Sequence, residues 1–380
     1  MLENQQLTMN YIDSDDNHDI NKLKIKTINL PKFPTTRFQG SKRKILSELA
    51  TVFNGFEYKK ALDLFSGSGV VSLLFRHLGK SVTANDFMLY NQNTAKVFLS
   101  FNQDKINLSV VKKDLEDLLY NRPLPQDGLV SKNYKGIYFL DFENLEIDRF
   151  CQNINSYGDF EKSLYIYAVG QALTKKRPYN LFHRANLEMR TKEVERSFGN
   201  KKTWETSIIE HAIKCINELR KFPTVSQGGA VYSVSGFNSS ELSEFCDDFE
   251  LIYLDPPYIN GRGTPVDYSD FYHFLEGLCD YSLFDSGDEK YPHKPIMKKY
   301  SAWLKPDTAI NELTAICERW PAANILFSYR SDGLPTPEDA AKAMSVAGRV
   351  VEIHSAGEYK YALSKTNSNE ELIIISKPSR

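Results

Sequence analysis

No apolar run in the 380-residue chain approaches the roughly 20 residues needed to cross a bilayer, so no membrane partner is expected. The opening stretch MLENQQLTMNYIDSDDNHDI has neither a basic start nor an apolar core, and no secretory signal is expected there. Its polar, acidic composition reads as a disordered arm over residues 1–30. The five cysteines (Cys151, Cys215, Cys246, Cys279, Cys317) lie far apart without a Cys-x-x-Cys pair. That spacing argues against a zinc ribbon and a disulfide framework, predicts no metal site, and fits a reducing cytoplasm. Charge of one sign is also lacking. With a formal net charge of −2, any grip on an acidic partner must come from a local basic surface.

What is present is a strand–helix alternation interrupted once. Ala61 to Phe65 is a short apolar strand, Ser66-Gly67-Ser68-Gly69 a loop, and VVSLLFRHLG a helix closed by Gly79. A second strand, SVTAN, leads to Asp86. From about residue 105 to 225 the rhythm is lost, apart from an amphipathic helix, IIEHAIKCINELR. It resumes with the strands AVYSV and FELIYL, the helices FYHFLEGL and AINELTAICERW, and the strand NILFSY. Thr336-Pro337-Glu338-Asp339 has the residues of a helix start. VVEIH and ELIIIS close the chain as an antiparallel hairpin. Together these predict an α/β fold: a Rossmann-like, doubly wound mixed sheet. The expected divisions are 31–110 and 226–380 as two halves of one core, with 111–225 inserted between them.

The loop Asp63-Leu64-Phe65-Ser66-Gly67-Ser68-Gly69 lies where backbone N–H groups and a helix dipole face a ligand. Asp86, 17 residues past Gly69, ends the next strand, the position from which a carboxylate accepts ribose hydroxyls. Taken alone, a Gly-Ser-Gly turn is an ordinary loop and a strand-ending Asp an ordinary helix cap. A dinucleotide site would place its third glycine at Ser72, and Asp63 would face pyrophosphate unfavourably. An acid there suits a cofactor with a positive amino group, such as S-adenosylmethionine.

Asp255-Pro256-Pro257-Tyr258 follows FELIYL directly. Two prolines fix a rigid extended turn at the carboxyl end of the strand, where open α/β sheets bind ligands. An exocyclic amino nitrogen is a poor nucleophile because its lone pair is delocalised into the ring. The Asp255 carboxylate and the Pro256 carbonyl can accept its two protons and draw it towards sp³ character. Tyr258 offers a face to a base lifted from the duplex. A Pro-Pro turn with an incidental Asp and Tyr is the plain alternative; the preceding strand and the upstream loop weigh against it. No Pro-Cys pair occurs, so cytosine-C5 chemistry, which needs a cysteine nucleophile, is not expected.

These motifs resemble the Dam-like class of N6-adenine-specific DNA methyltransferases. Phe38-Gln39-Gly40-Ser41-Lys42 resembles the N-terminal cofactor segment of that class, Asp63 to Gly69 its S-adenosylmethionine motif, Asn85-Asp86 its ribose-binding acid, and Asp255 to Tyr258 its catalytic motif. Phe327-Ser328-Tyr329, Lys360-Tyr361 and Glu371-Leu372 resemble its later motifs. The resemblance covers residues 33–100 and 225–378 and departs at Asn238, where the class often has an acid for the cofactor adenine. It implies cofactor contacts from Phe38, Gln39, Gly40, Lys42, Asp63, Phe65, Gly67, Gly69, Asp86 and Asn238. It also implies methyl transfer from S-adenosylmethionine to adenine N6 in double-stranded DNA, with a cognate restriction endonuclease as a candidate second partner and a target-recognition insertion between the two halves.

Lys175 to Lys202 holds nine Lys/Arg against three Glu, interleaved with Tyr179, Phe182, His183 and Asn186. Cations at phosphates supply affinity, and Arg and Asn at base edges supply specificity. Lys176, Arg177, Arg184, Asn186 and Arg190 are the expected DNA contacts, with Lys42, Arg43 and Lys44 as further phosphate candidates. A solvated basic helix face is the bland alternative. His273 is expected to be structural. Competing functions are a cytosine-N4 or RNA amino-group methyltransferase, and a non-catalytic DNA-binding module.

Overall fold

Short, largely buried runs form the centre of the sheet, because parallel strands covered on both faces have no solvent side. The computed structural model describes residues 28–379 except 125, 193–199, 224–229, 297–300 and 360–368. The strands are β1 (Lys60–Asp63), β2 (Ser81–Asn85), β3 (Tyr232–Ser235), β4 (Leu251–Leu254), β5 (Ile259–Asn260), β6 (Asn324–Arg330), β7 (Gly333–Leu334), β8 (Val350–Tyr359) and β9 (Asn369–Lys377). Seven of them form one sheet in the order β3-β2-β1-β4-β6-β9-β8, and β5 pairs with β7. Strands β3, β2, β1, β4 and β6 are parallel, while β9 runs antiparallel between β6 and β8. This is a mainly parallel α/β sheet ending in the expected hairpin, consistent with a methyltransferase fold.

Side-chain alternation divides the core in two. Ala61, Val82, Tyr253 and Leu326 join one hydrophobic cluster, while Leu62, Ile252, Leu254 and Ile325 join the other. Helices cover both faces, Leu46–Asn54, Val70–His77, Leu89–Ser100 and Tyr268–Cys279 on the first and Pro306–Arg319 and Pro337–Met344 on the second. Thr336 caps the last of these by accepting from Asp339 N at 3.1 Å.

Between residues 108 and 220 the regular elements of the described chain are all helices. The helix Asp159–Lys176 packs against Leu89–Ser100 and Ile208–Arg220. Its buried residues belong to the same cluster as the first face of the sheet. The middle segment is thus a further helical layer sharing that core, without strands of its own among the described residues. Of the other expected features, residues 1–27 of the N-terminal arm, Lys360-Tyr361 and residues 193–199 of the basic segment lie outside the described residues.

Candidate active site

The strand order reverses between β1 and β4: from β1 the chain steps towards β2 and β3, from β4 towards β6. Crevices outside the carboxyl ends of strands open at such a switch point. Both loops of interest leave from it, Asp63–Gly69 after β1 and Asp255–Tyr258 after β4. Gly67 and Gly69 are left-handed (φ +46° and +73°). A Cβ on Gly67 would come within 3.3 Å of the Phe38 ring, and one on Gly69 within 3.0 Å of Phe98, so only glycine suits either position. Gly69 starts the helix Val70–His77. Asn85 ties the strand ends together: its amide donates to the Leu64 and Phe237 carbonyls, both at 3.1 Å, and its oxygen accepts from Phe237 N at 3.1 Å.

Asp86 holds the loop in place, its Oδ2 accepting from Gly67 N at 2.9 Å and its Oδ1 from Met88 N at 2.9 Å. Asp63 is fully buried, and its Oδ2 accepts from Ser72 Oγ at 2.5 Å. Its Oδ1, together with Ser66 Oγ and Asn91 Oδ1, is buried with no hydrogen-bond partner among the described residues. Burial pushes the Asp63 carboxyl up to about 7, with Asp255 and Asp86 adding like charge and the Ser72 hydrogen bond opposing the rise. An unpaired buried carboxylate oxygen of this kind fits a cationic donor, and unpaired oxygens on Ser66 and Asn91 fit hydroxyl or amino donors. These are the polar groups of S-adenosylmethionine, so the residues present fit that cofactor.

Across the crevice, Lys42 is buried at 2% exposure, although lysine is rarely interior without a partner. Its ammonium donates to Asp255 Oδ1 at 2.7 Å, to the Tyr258 hydroxyl at 2.7 Å and to Glu371 Oε1 at 3.1 Å. The Tyr258 hydroxyl in turn lies within hydrogen-bond reach of Asp255. Desolvation raises the Asp255 carboxyl above its usual range; Lys42 pulls it down, and Glu371 pushes it up.

Most of the expected cofactor residues line one cavity: Phe38, Gly40 and Lys42 from the N-terminal segment, Phe65 and Gly67 from the loop, Asp86 from the end of β2. Asp255 and Pro257 line its far side. Asp63 and Gly69 stand just behind that lining, Gly69 setting the loop's path and Asp63 keeping one buried oxygen unpaired. Two further expected contacts are also absent from it. Gln39 faces a neighbouring cleft, and Asn238 turns its oxygen to Ser240 N at 3.2 Å, capping its own turn. Phe237, Asn91 and Tyr268 line the cavity instead, and nothing in their local sequence marked them.

The neighbouring cleft, about 1040 Å³, shares Phe38, Gly40, Ser41 and Tyr268 with the cavity and takes Tyr258 into its own wall. Phe38 is stacked on Tyr272 and Tyr268, with centroids 4.5 and 5.3 Å away. That stack separates cavity from cleft. Six basic residues line the cleft (Lys32, Arg37, Arg43, Lys44, Arg262, Arg330) against one acid, Asp332, which pairs with Arg330 at 2.5 Å. Arg43 and Lys44 thus lie where phosphate contacts were expected. Tyr179, 64% exposed, stands on the cleft wall.

Three of the five expected DNA contacts are buried elsewhere. Lys176 and Arg190 both bind Glu143, Lys176 at 3.1 Å and Arg190 through two nitrogens at 2.7 and 2.8 Å. Arg177 donates to the Leu181 carbonyl at 3.1 Å and lies over the Tyr138 ring. In this structure the three stabilise the interior, because a cation buried against Glu143 or a ring has no surface to offer a phosphate. Arg184 is exposed and Asn186 partly so. His273 is fully buried, its Nε2 2.9 Å from the Phe182 carbonyl, the structural place expected for it.

Known proteins resemble the chain along most of its length. The Type II methyltransferase M2.HphI of Haemophilus parahaemolyticus is 24% identical over 355 residues, which cover 92% of this chain and 98% of that relative. Residues 38–299 match the family described as D12 class N6 adenine-specific DNA methyltransferase. This span, well over half of the chain, holds the N-terminal segment, the glycine loop and the Asp255–Tyr258 turn. The chain belongs to that family and is an adenine-specific DNA methyltransferase.

Proposed function

We propose that the cavity at the switch point binds S-adenosylmethionine and that the basic cleft receives double-stranded DNA with the target adenine turned out of the helix. The observation that carries this reading is the shared wall: Asp255 faces the cavity, Tyr258 faces the cleft, and Phe38 and Tyr268 border both. When bound, the cofactor supplies an electrophilic methyl group on a sulfonium. Asp63 would hold its amino group and Asp86 its ribose, with Phe38, Gly40, Phe65 and Gly67 enclosing the rest and Gly69 setting the loop's path.

Asp255 accepts one proton of the adenine amino group and the Pro256 carbonyl the other, which localises the nitrogen lone pair. Pro257 holds the turn rigid, and Tyr258 supports the extruded base. As the new bond forms, the nitrogen must lose a proton, and the Asp255 carboxylate is the acceptor at hand. Lys42 balances the charge of that carboxylate. Positioning supplies most of the acceleration. Arg43, Lys44, Arg37 and Arg262 neutralise phosphates, while Arg184 and Asn186 reach the DNA from the middle segment. A relative carrying a Type II name supports membership of a restriction–modification pair, with a cognate endonuclease as partner.

The test is incubation with labelled S-adenosylmethionine and unmethylated bacterial DNA, followed by digestion to nucleosides and mass spectrometry. N6-methyladenine that disappears in Asp255→Ala is the expected result. Methylation that survives in the variant overturns the role of Asp255, and N4-methylcytosine as sole product overturns the substrate.

A further inference from the structure

Glu371 stands on β9, 113 residues beyond Tyr258 in sequence, and is fully buried. Its position is doubly fixed. Strand pairing sets it opposite Arg330 on β6, and Ser328 Oγ, also on β6, donates to its Oε1 at 2.7 Å. That same oxygen lies 3.1 Å from Lys42 Nζ and 3.3 Å from the Tyr258 hydroxyl. One ammonium therefore bridges two carboxylates carried on different strands, Asp255 after β4 and Glu371 on β9.

We propose that Glu371 is a positioning residue for methyl transfer: by anchoring Lys42 from β9, it fixes the place and the charge of the Asp255 carboxylate. This rests on the reading of Asp255 as the acceptor of the amino protons. A lysine ammonium on its flexible four-carbon stem follows whichever anion moves. Tied to Asp255 alone, it would leave that carboxylate free to shift with it. Tied also to Glu371, whose own place is set by β6, it becomes a fixed point. A misplacement of about 1 Å at a reacting group costs roughly 100-fold in rate, which is the scale on which such anchoring acts.

The charges give the proposal a signature that packing alone would not produce. Asp255 is faced by Lys42 from the N-terminal segment, by Glu371 from β9, by Tyr258 from its own turn, by Asp63 from β1 and by Tyr253 from β4. Lys42 favours the ionised form of Asp255, and Glu371 opposes it. Replacing Glu371 with the isosteric amide removes the opposing charge. The acid limb of the rate profile then moves to lower pH, even as the rate falls through loss of the anchor. Lys42→Met removes the favouring charge and moves the same limb to higher pH.

The experiment is single-turnover methyl transfer to unmethylated bacterial DNA with the full chain in excess, followed from about pH 5 to pH 9. Glu371→Gln is expected to slow transfer roughly 10- to 100-fold, to leave cofactor affinity within about threefold, and to shift the acid limb downward. Glu352→Gln, on the neighbouring strand and paired with Lys377 at 2.8 Å, is expected to match the wild type. If Glu371→Gln does not fold, as judged by thermal melting, Ser328→Ala carries the test by freeing Glu371, with slower transfer at unchanged cofactor affinity. A folded Glu371→Gln that transfers at the wild-type rate, or slows without moving the limb, overturns the proposal; so does wild-type transfer by Ser328→Ala. Asp255→Ala is run beside them. Its retention of activity would remove the underlying reading as well, whereas an inactive Asp255→Ala with a normal Glu371→Gln removes only the role given to Glu371.

Discussion

Asp63 carries a linked consequence for cofactor binding and pH. Its folded-state pKa is raised from 3.8 to about 7, so folding favours the protonated form. Its contribution to stability is complete below the ordinary carboxyl range and is lost as pH rises through about 7. A cofactor ammonium beside it reverses the preference, so binding near pH 6 should expel part of a proton. Calorimetric titration of S-adenosylmethionine in two buffers of different ionisation enthalpy reads this directly. Asp63→Asn is expected to abolish the buffer dependence and weaken binding by about 10- to 100-fold. Proton release that persists in the variant would point to another group. Asp63 and its partner Ser72 stand nine residues apart, so that contact lies within the one strand–loop–helix unit the sequence displays. Glu371 was noticed only as part of a late motif, because its partner Lys42 lies at the other end of the chain and the pairing exists only once β9 has entered the sheet. Asn238 misled for a local reason: an Asn two residues before Ser240 caps its own turn.

Among the elements, the strands around the switch point were readable to within about two residues at each end, since short, mainly apolar runs that end in Asp before a Gly or Pro turn have few other uses. The helix Asp159–Lys176 was not. It is enclosed nearly all round, so it shows no polar stripe and no period of 3.6. The basic segment that follows it misled in the opposite sense. A charge count cannot see Glu143, which lies 47 residues before Arg190 and binds it from another helix. That cluster joins three pieces of the middle layer, because Lys176 also donates to the carbonyls of Trp204 and Thr206. Arg190→Ala would leave Glu143 short of its bidentate partner in the interior, at a cost of about 3–5 kcal/mol. The expected outcome is a lower denaturant midpoint, with an unaltered salt dependence of DNA affinity in the protein that remains folded. A midpoint equal to the wild type would return Arg190 to the DNA-facing set.

At the scale of the whole molecule, a net charge of −2 coexists with a cleft of six cations and one anion. A local excess of cations at the cleft orients an approaching polyanion towards it. Each phosphate neutralised contributes nearly one unit to the slope of log affinity against log salt. Arg43→Gln combined with Arg262→Gln should lower that slope by about two while leaving cofactor affinity unchanged, measured by fluorescence anisotropy with duplex DNA. An unchanged slope would place the DNA elsewhere. The fold class and the reaction were legible because both rest on contiguous motifs; the cleft was legible only at Arg43 and Lys44, because its other cations, Lys32, Arg37, Arg262 and Arg330, share only a location.

Pairing of β1 with β4 joins Ala61 to Leu251, and Glu371 arrives on β9 later still. During translation the glycine loop therefore emerges long before the segments that complete its pocket. A chain made only that far carries half a pocket and no Lys42–Glu371 contact. Methylation is therefore expected only once β9 stands between β6 and β8, which makes the active site dependent on the last pairing of the sheet.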